Sequence, residues 1–234
     1  MRLPNIDARL LRASKFIRGG AYLADIGTDH AYLPIYLALT GKIVGAVASD
    51  INEGPVERAK KSVAKYGVSD KITVIKSAGL VGAESYPFTD AVIAGMGGEL
   101  IASILNDSPW IKDERYNLVL QPMTHPEILR KYLADEGFRI IDEDVVPDSD
   151  GPRAKIYQVI NAVYCGDREE YTVPELFFGK YNIKKGGADF AHLCRREARI
   201  HGQIVKAKEL AGQECDFERA IFEFANEYLE RNEG

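Results

Sequence analysis

The stretch that decides the fold is residues 24–34, which read ADIGTDHAYLP. It joins the end of an apolar strand to the start of a helix, and Gly27 lets the backbone turn tightly between them. In an open α/β sheet this turn lies beyond the carboxyl end of the strand, where nucleotide ligands bind. His30 and Ala31 stand where the pyrophosphate fingerprint GxGxxG needs further glycines. With Asp25 before the glycine, the turn favours a cofactor that carries positive charge over one that carries phosphates.

Short apolar runs alternate with helical stretches around this turn. Continuous apolar runs are typical of parallel strands buried on both faces, and the candidates are residues 22–26, 43–49, 72–75, 91–94 and 118–120. Helical periodicity predicts helices at residues 4–18, 32–40, 55–66, 98–106 and 125–136. We expect the last of these to begin with a capping box, in which Thr124 is the cap and Glu127 reaches back to it. This alternation predicts a doubly wound α/β sheet.

The pattern changes after residue 137. Residues 138–146 and 154–163 are both strand-like, and residues 147–152 between them leave no room for a crossover helix. We therefore expect an antiparallel hairpin at the sheet edge, which completes a seven-stranded, Rossmann-like sheet of the kind usual in methyltransferases.

The C-terminal part is predicted to be helical. From Gly186 onward apolar residues recur in steps of three and four, and a second such stretch follows Gly212. Two short helices with this patterning predict an antiparallel helical hairpin. We expect a cofactor-binding domain over residues 1–166 and a C-terminal helical domain over residues 167–234.

The composition argues against several classes of protein. Three cysteines lie far apart and form no CxxC pair, so we expect neither a disulfide framework nor a metal site. No apolar run approaches the roughly 18 residues of a membrane span, and no apolar region follows the basic N-terminus as it would in a signal peptide. We therefore expect a cytoplasmic protein.

Basic residues are concentrated in two segments although the net charge is −5. Residues 1–20 carry five cations and one carboxylate, and residues 179–208 carry eight cations and two carboxylates. Charged runs are usually solvated surface, but both segments lie outside the predicted sheet. This placement favours contact with a polyanion such as RNA.

Candidate ligand-binding residues follow each of the first four strands. Asp50 ends the second strand, where a carboxylate can accept hydrogen bonds from both ribose hydroxyls, although an aspartate there could simply cap a helix. The glycine-rich turn at residues 95–98 leaves room for a flat ligand, although such a turn could also be a plain connection. The residues expected to bind the cofactor are Asp25, Gly27, Asp29, His30, Asp50, Ile51, Pro55, Ala78, Gly79, Ala94, Gly95 and Met96.

Three segments resemble the bacterial tRNA adenine-22 N1-methyltransferases. They are residues 24–34, residues 94–98, which read AGMGG, and residues 118–122, which read LVLQP. The resemblance covers most of the chain. It implies S-adenosyl-L-methionine as cofactor, methyl transfer to N1 of an adenine in the D-arm region of tRNA, and a coiled-coil-like C-terminal domain that helps to hold the RNA. The chain departs from the family at Ala78, where relatives carry Asp or Asn, and at Met123, where they carry Asn.

Two residues are candidates for a catalytic role. Asp29 could stabilise the positive charge that develops on the methylated base, although it could instead cap the loop or contact the cofactor. Gln121 could hydrogen-bond the base edge, although it could instead be a structural amide at the end of the strand. Three other functions stay open: a small-molecule methyltransferase with a dimerising hairpin, an inactive RNA-binding relative, and an NAD-dependent enzyme, which the missing glycines disfavour. We expect a monomer or weak dimer.

Overall fold

The computed structural model describes residues 3–149 and 154–233. Seven strands form one sheet: β1 (Ala21–Ile26), β2 (Ile43–Asp50), β3 (Ile72–Lys76), β4 (Asp90–Gly97), β5 (Asn117–Thr124), β6 (Phe138–Pro147) and β7 (Ile156–Tyr164). Their order is β3-β2-β1-β4-β5-β7-β6. Strands β1 to β5 are parallel, whereas β7 is antiparallel to both β5 and β6. The predicted doubly wound sheet with an antiparallel pair at its edge is confirmed, and the part of its hairpin turn at 150–153 lies outside the described residues.

Helices cover both faces of the sheet. They are α1 (Ala8–Phe16), α2 (Tyr32–Leu39), α3 (Glu53–Lys65), α4 (Gly98–Asn106) and α5 (Pro126–Asp135). The first three pack on one face and form one apolar cluster with it, and α4 and α5 pack on the other face and form a second. Because both faces are covered, the central strands are apolar along their length.

The first helix is shorter than the predicted span of residues 4–18. The side chain of Asp7 caps it, since Oδ1 accepts a hydrogen bond from the Leu10 amide at 2.9 Å. The helix therefore begins directly after Asp7. It ends before Ile17, whose backbone is extended.

The predicted capping box at Thr124 is wrong. Thr124 is the last residue of β5, and His125, with φ +53°, is the residue that precedes α5. The Glu127 carboxylate lies 3.0 Å from Nδ1 of His125 instead of reaching back to Thr124. The strand continues because β4 and β5 remain paired as far as Gly97 and Thr124.

Four helices follow the sheet: α6 (Val173–Phe178), α7 (Lys180–Lys185), α8 (Ala188–Leu210) and α9 (Asp216–Glu233). The predicted hairpin is confirmed, since α8 and α9 pack against each other. The two short helices were not predicted. A capping box at Thr172 and Glu175 starts α6 and was a readable signal for it.

A buried ion pair joins the C-terminal helices to the sheet. Arg130 of α5 and Glu143 of β6 are fully buried, with Nε to Oε1 at 2.7 Å. Arg130 also donates to the carbonyl oxygens of Leu176 and Phe177, and Glu143 accepts from the Tyr181 amide. These contacts join residues on either side of position 166. The domain boundary proposed there stays a prediction.

Among the described residues, no helix is long and apolar enough to cross a membrane. The same part of the chain contains no group of three or more His, Cys, Asp or Glu side chains placed to hold a metal ion.

Candidate active site

Two adjoining cavities lie at the carboxyl ends of β1, β2 and β4. The first, of about 470 Å³, lies between the β1–α2 turn, the end of β4 and the segment that starts α1. The second, of about 300 Å³, lies between the turns after β2 and β3 and one face of α4. We call them the α1 cavity and the α4 cavity. Gly27 lines both of them.

The predicted cofactor residues are divided between the two cavities. The α1 cavity is lined by Asp25, Gly27, Asp29, His30, Ala94 and Gly95. The α4 cavity is lined by Gly27, Asp50, Ile51, Ala78, Gly79 and Met96. Pro55 lies in the first turn of α3 and lines neither cavity.

The backbone at Gly27 allows a ligand to approach closely. Its φ is +78°, in the left-handed region that favours glycine. A Cβ atom at this position would lie 2.0 Å from Cε of Met96, so the end of that flexible side chain would have to shift. The turn therefore requires glycine for its backbone conformation.

Asp25 is a buried carboxyl group at the floor of the α1 cavity. Only 6% of its surface is exposed. Burial raises the pKa of the Asp25 carboxyl from 3.8 to about 6, and a hydrogen bond with Thr28 offsets this only in part. An ionised carboxylate in this position is poorly solvated, so a bound cation would stabilise it.

The α4 cavity is mainly apolar, with one carboxylate at its rim. Ile51, Val81 and Leu100 line it and are exposed. Oδ1 of Asp50 accepts a hydrogen bond from the Asn52 amide at 2.7 Å. Such a slot suits a flat aromatic ligand beside a polar group that accepts hydrogen bonds.

Asp29 lies at the α1 cavity but is not alone there. Its Oδ1 accepts hydrogen bonds from the guanidinium of Arg58 on α3. Nε2 of His30 lies 3.4 Å from Oδ2, and the His30 ring stacks on Tyr32 with 4.9 Å between ring centroids. Arg58 therefore partly neutralises the charge of Asp29.

Gln121 is fully buried and bonded at both ends. Its Oε1 accepts hydrogen bonds from Nη1 of Arg9 at 2.7 Å and from the Gly95 amide at 3.1 Å. Its Nε2 donates to the Pro122 carbonyl oxygen at 2.9 Å. The predicted contact between Gln121 and a substrate base stays a prediction.

Sequence and structure comparisons relate this chain to methyltransferases. Residues 6–160 match the family model described as a methyltransferase domain. The tRNA (adenine(22)-N(1))-methyltransferase of Bacillus subtilis is 40% identical over 164 residues, which are 70% of this chain and 67% of that protein. The chain belongs to the tRNA (adenine-22 N1)-methyltransferase family.

Solved structures extend the likeness to this family over nearly the whole chain. A crystal structure of the Bacillus subtilis m1A22 tRNA methyltransferase has a TM-score of 0.80 at 31% identity, and the match covers 98% of this chain and 97% of that one. A Streptococcus pneumoniae relative, solved in complex with S-adenosyl-L-methionine, has a TM-score of 0.82 at 29% identity and covers 96% of this chain and 100% of that one.

In this member of the tRNA (adenine-22 N1)-methyltransferase family, two arginines belong to the site and were not predicted there. Arg9 lines the α1 cavity, and Arg58 contacts Asp29. The first basic segment was a signal for Arg9, but it indicated RNA contact and not a cavity wall. For Arg58 the sequence offered no signal beyond an exposed position on a helix.

Proposed function

We propose that this protein transfers the methyl group of S-adenosyl-L-methionine to N1 of adenine 22 in tRNA. Family membership supports the reaction and its substrate. The observation that carries the proposal is the pair of cavities that meet at Gly27. The α1 cavity contains a buried carboxyl, and the α4 cavity is an apolar slot. Their residues fit the cofactor: Asp25 suits its positive charges, and Asp50 beside the slot suits its ribose and adenine.

The chemistry makes modest demands on the protein. Bound S-adenosyl-L-methionine supplies an electrophilic methyl group. Adenine N1 has an in-plane lone pair and no proton, so the protein needs no general base to activate it. The residues around the α1 cavity have to orient the base and keep water out.

Asp29 is our candidate for stabilising positive charge on the methylated adenine. It lines the α1 cavity, and a carboxylate there would act as charge develops. Because Arg58 lies against it, we expect its contribution to be smaller than that of an unpaired carboxylate.

The tRNA-binding surface is proposed to lie on α8 and not on α1. Four basic residues at helical spacing form the α8 basic stripe: His192, Arg195, Arg199 and Lys206. Arg195, Arg199 and Lys206 are exposed. In the N-terminal segment, Arg12 forms an ion pair with Asp144 and Arg18 forms one with Asp90.

The test is to incubate the protein with labelled S-adenosyl-L-methionine and unmodified tRNA, and then to map the methylated nucleoside. The matched control is the same tRNA with guanine at position 22. We expect label on N1 of adenine 22 and none in the control. Equal labelling of both RNAs, or labelling of a small molecule only, would contradict the proposal.

Three further properties are proposed for the protein. They are the division into domains 1–166 and 167–234, the cytoplasmic location, and the monomeric or weakly dimeric state.

A further inference from the structure

Arg9 is a guanidinium held rigidly at the wall of the α1 cavity. Nε donates to Oδ2 of Asp7 at 2.9 Å, and the same aspartate caps α1. Nη1 donates to Oε1 of the buried Gln121 at 2.7 Å. The group also lies 6.0 Å from the ring centroid of Tyr157. A side chain fixed at several points loses little further entropy when it binds a ligand.

One end of this guanidinium has no protein partner among the described residues. The hydrogen bonds of Arg9 to described residues use Nε and Nη1, and Nη2 donates to none of them. A Cβ atom at Gly95 would lie 3.0 Å from Nη1, so the guanidinium lies directly over the last residues of β4, which includes the predicted turn residues 95–97. Only 23% of the Arg9 side chain is exposed. A partly desolvated donor pair at a cavity wall is suited to an oxyanion.

The charges around the α1 cavity indicate which oxyanion fits. Asp25 and Asp29 lie on the β1–α2 side, and Arg9 lies on the α1 side, where its Nε is paired with Asp7 and its Nη2 faces no described partner. An α-amino-acid group is a zwitterion, with an ammonium that matches the carboxylates and a carboxylate that matches the guanidinium. A phosphodiester has only negative charge and would also meet the carboxylates, which would repel it.

We propose that Arg9 binds the carboxylate of the cofactor's amino-acid end, and that Gln121 is a positioning residue that acts by holding Arg9. This inference rests on the proposed function, because it assumes S-adenosyl-L-methionine in the two cavities. It also gives a role to Gln121 of β5, a buried glutamine that lines neither cavity. Its Oε1 accepts hydrogen bonds from both Arg9 and the Gly95 amide, and so links the wall of the cavity to the end of β4.

The test compares two ligands that differ only in this carboxylate, S-adenosyl-L-methionine and its decarboxylated form, by calorimetry. We expect the wild type to bind the complete cofactor about 10-fold or more tightly than the decarboxylated one, as for the loss of one charge-assisted pair. In Arg9→Ala this preference should disappear. In Arg9→Lys the preference should be intermediate, because an ammonium lacks the planar pair of N–H donors of a guanidinium. Lys15→Ala, an exposed cation on the same helix, is the matched control and should keep the wild-type preference.

The role of Gln121 is tested by a double-mutant cycle. Gln121→Ala should reduce the preference several-fold, and the double variant should be no worse than Arg9→Ala alone, since both act through one contact. Each preference is a ratio measured within one protein, so partial loss of stability does not imitate the result, and Arg9→Lys serves if Arg9→Ala does not fold.

Two results would overturn the inference. One is an unchanged ligand preference in Arg9→Ala together with a raised KM for tRNA, which would assign Arg9 to an RNA phosphate. The other is additive effects in the double variant, which would separate Gln121 from Arg9. If the wild type bound neither ligand, the proposed function itself would fail, and that outcome is distinct from both.

Discussion

Asp25→Asn replaces a buried carboxyl by an amide of nearly the same shape. Because the pKa of Asp25 is raised from 3.8 to about 6, the folded chain keeps a proton between these pH values that the unfolded chain has released. Each pH unit of such a difference is worth about 1.4 kcal/mol. Ionised Asp25 therefore costs the folded, ligand-free protein about 3 kcal/mol at neutral pH.

The sign of the effect follows from the raised pKa. The contribution of Asp25 to the free energy of unfolding is most favourable below pH 3.8, falls as the pH rises towards 6, and is level above that. In Asp25→Asn, residue 25 contributes no such decrease to the free energy of unfolding, because an amide does not titrate in this range. The free energy of unfolding of Asp25→Asn minus that of the wild type should therefore grow by about 3 kcal/mol between pH 4 and pH 7.

Urea denaturation at a series of pH values measures this difference. The other titratable groups that line the cavity are Asp7, Arg9, Asp29 and His30, together with Tyr32. Since histidines titrate in the same range, the series is repeated in a His30→Gln background. A difference between variant and wild type that does not change with pH would refute the idea that Asp25 is a desolvated carboxyl.

The same reasoning applies to the cofactor. If ionised Asp25 meets its positive charges, the affinity of the wild type for S-adenosyl-L-methionine should fall as the pH is lowered through about 6. The affinity of Asp25→Asn should be about 10-fold or more weaker at about pH 7.5, by loss of a charged contact, and should lose this pH dependence. Calorimetry at about pH 5.5 and 7.5, on either side of the raised pKa, checks both results. Equal pH dependence in the two proteins would contradict them.

Four further outcomes are expected. Asp50→Ala should weaken S-adenosyl-L-methionine binding by about 10-fold or more, and calorimetry with a folded variant of unchanged affinity would refute the ribose assignment. Gly27→Ala should lower the Tm and reduce the rise in Tm that the cofactor causes, because alanine is strained at a φ of +78° and its methyl group would displace the end of Met96; a normal cofactor shift would count against it. Replacing the three exposed cations of the α8 basic stripe together with alanine should leave cofactor binding intact and weaken tRNA binding. It should also reduce the slope of log affinity against log salt concentration by roughly 0.7–0.9 for each phosphate that the variant no longer binds. Filter binding at several salt concentrations tests this, and an unchanged slope would remove the stripe from the interface. Glu143→Gln should cost about 3–5 kcal/mol of stability in urea denaturation, because it leaves Arg130 buried without a counter-charge; a decrease below about 1 kcal/mol would show that solvent reaches this arginine.

The amino-acid sequence by itself determined the sheet and the place of the cavities. Parallel strands covered on both faces must be apolar along their length, so residues such as 43–49 stand out without knowledge of their neighbours. The carboxyl ends of parallel strands meet at one edge, which is why Asp25, Asp50 and Gly95 could be assigned to the same edge of the sheet from their positions at or just after the ends of strands. The requirement for glycine at residue 27 is likewise local, since it comes from the turn.

Only the tertiary structure decided which charged groups meet. Arg9 and Gln121 are 112 positions apart, and nothing in the local sequence of either indicates the other. Arg58 reaches Asp29 from a different helix, and Arg130 finds Glu143 beneath helices that the sequence pattern had missed. A helix or strand is set by the repeat of apolar residues along the chain, whereas the partner of a cation depends on how those elements pack. For that reason the basic N-terminal segment predicted a surface for RNA. In the folded chain, Arg12 and Arg18 form ion pairs and Arg9 lines the α1 cavity.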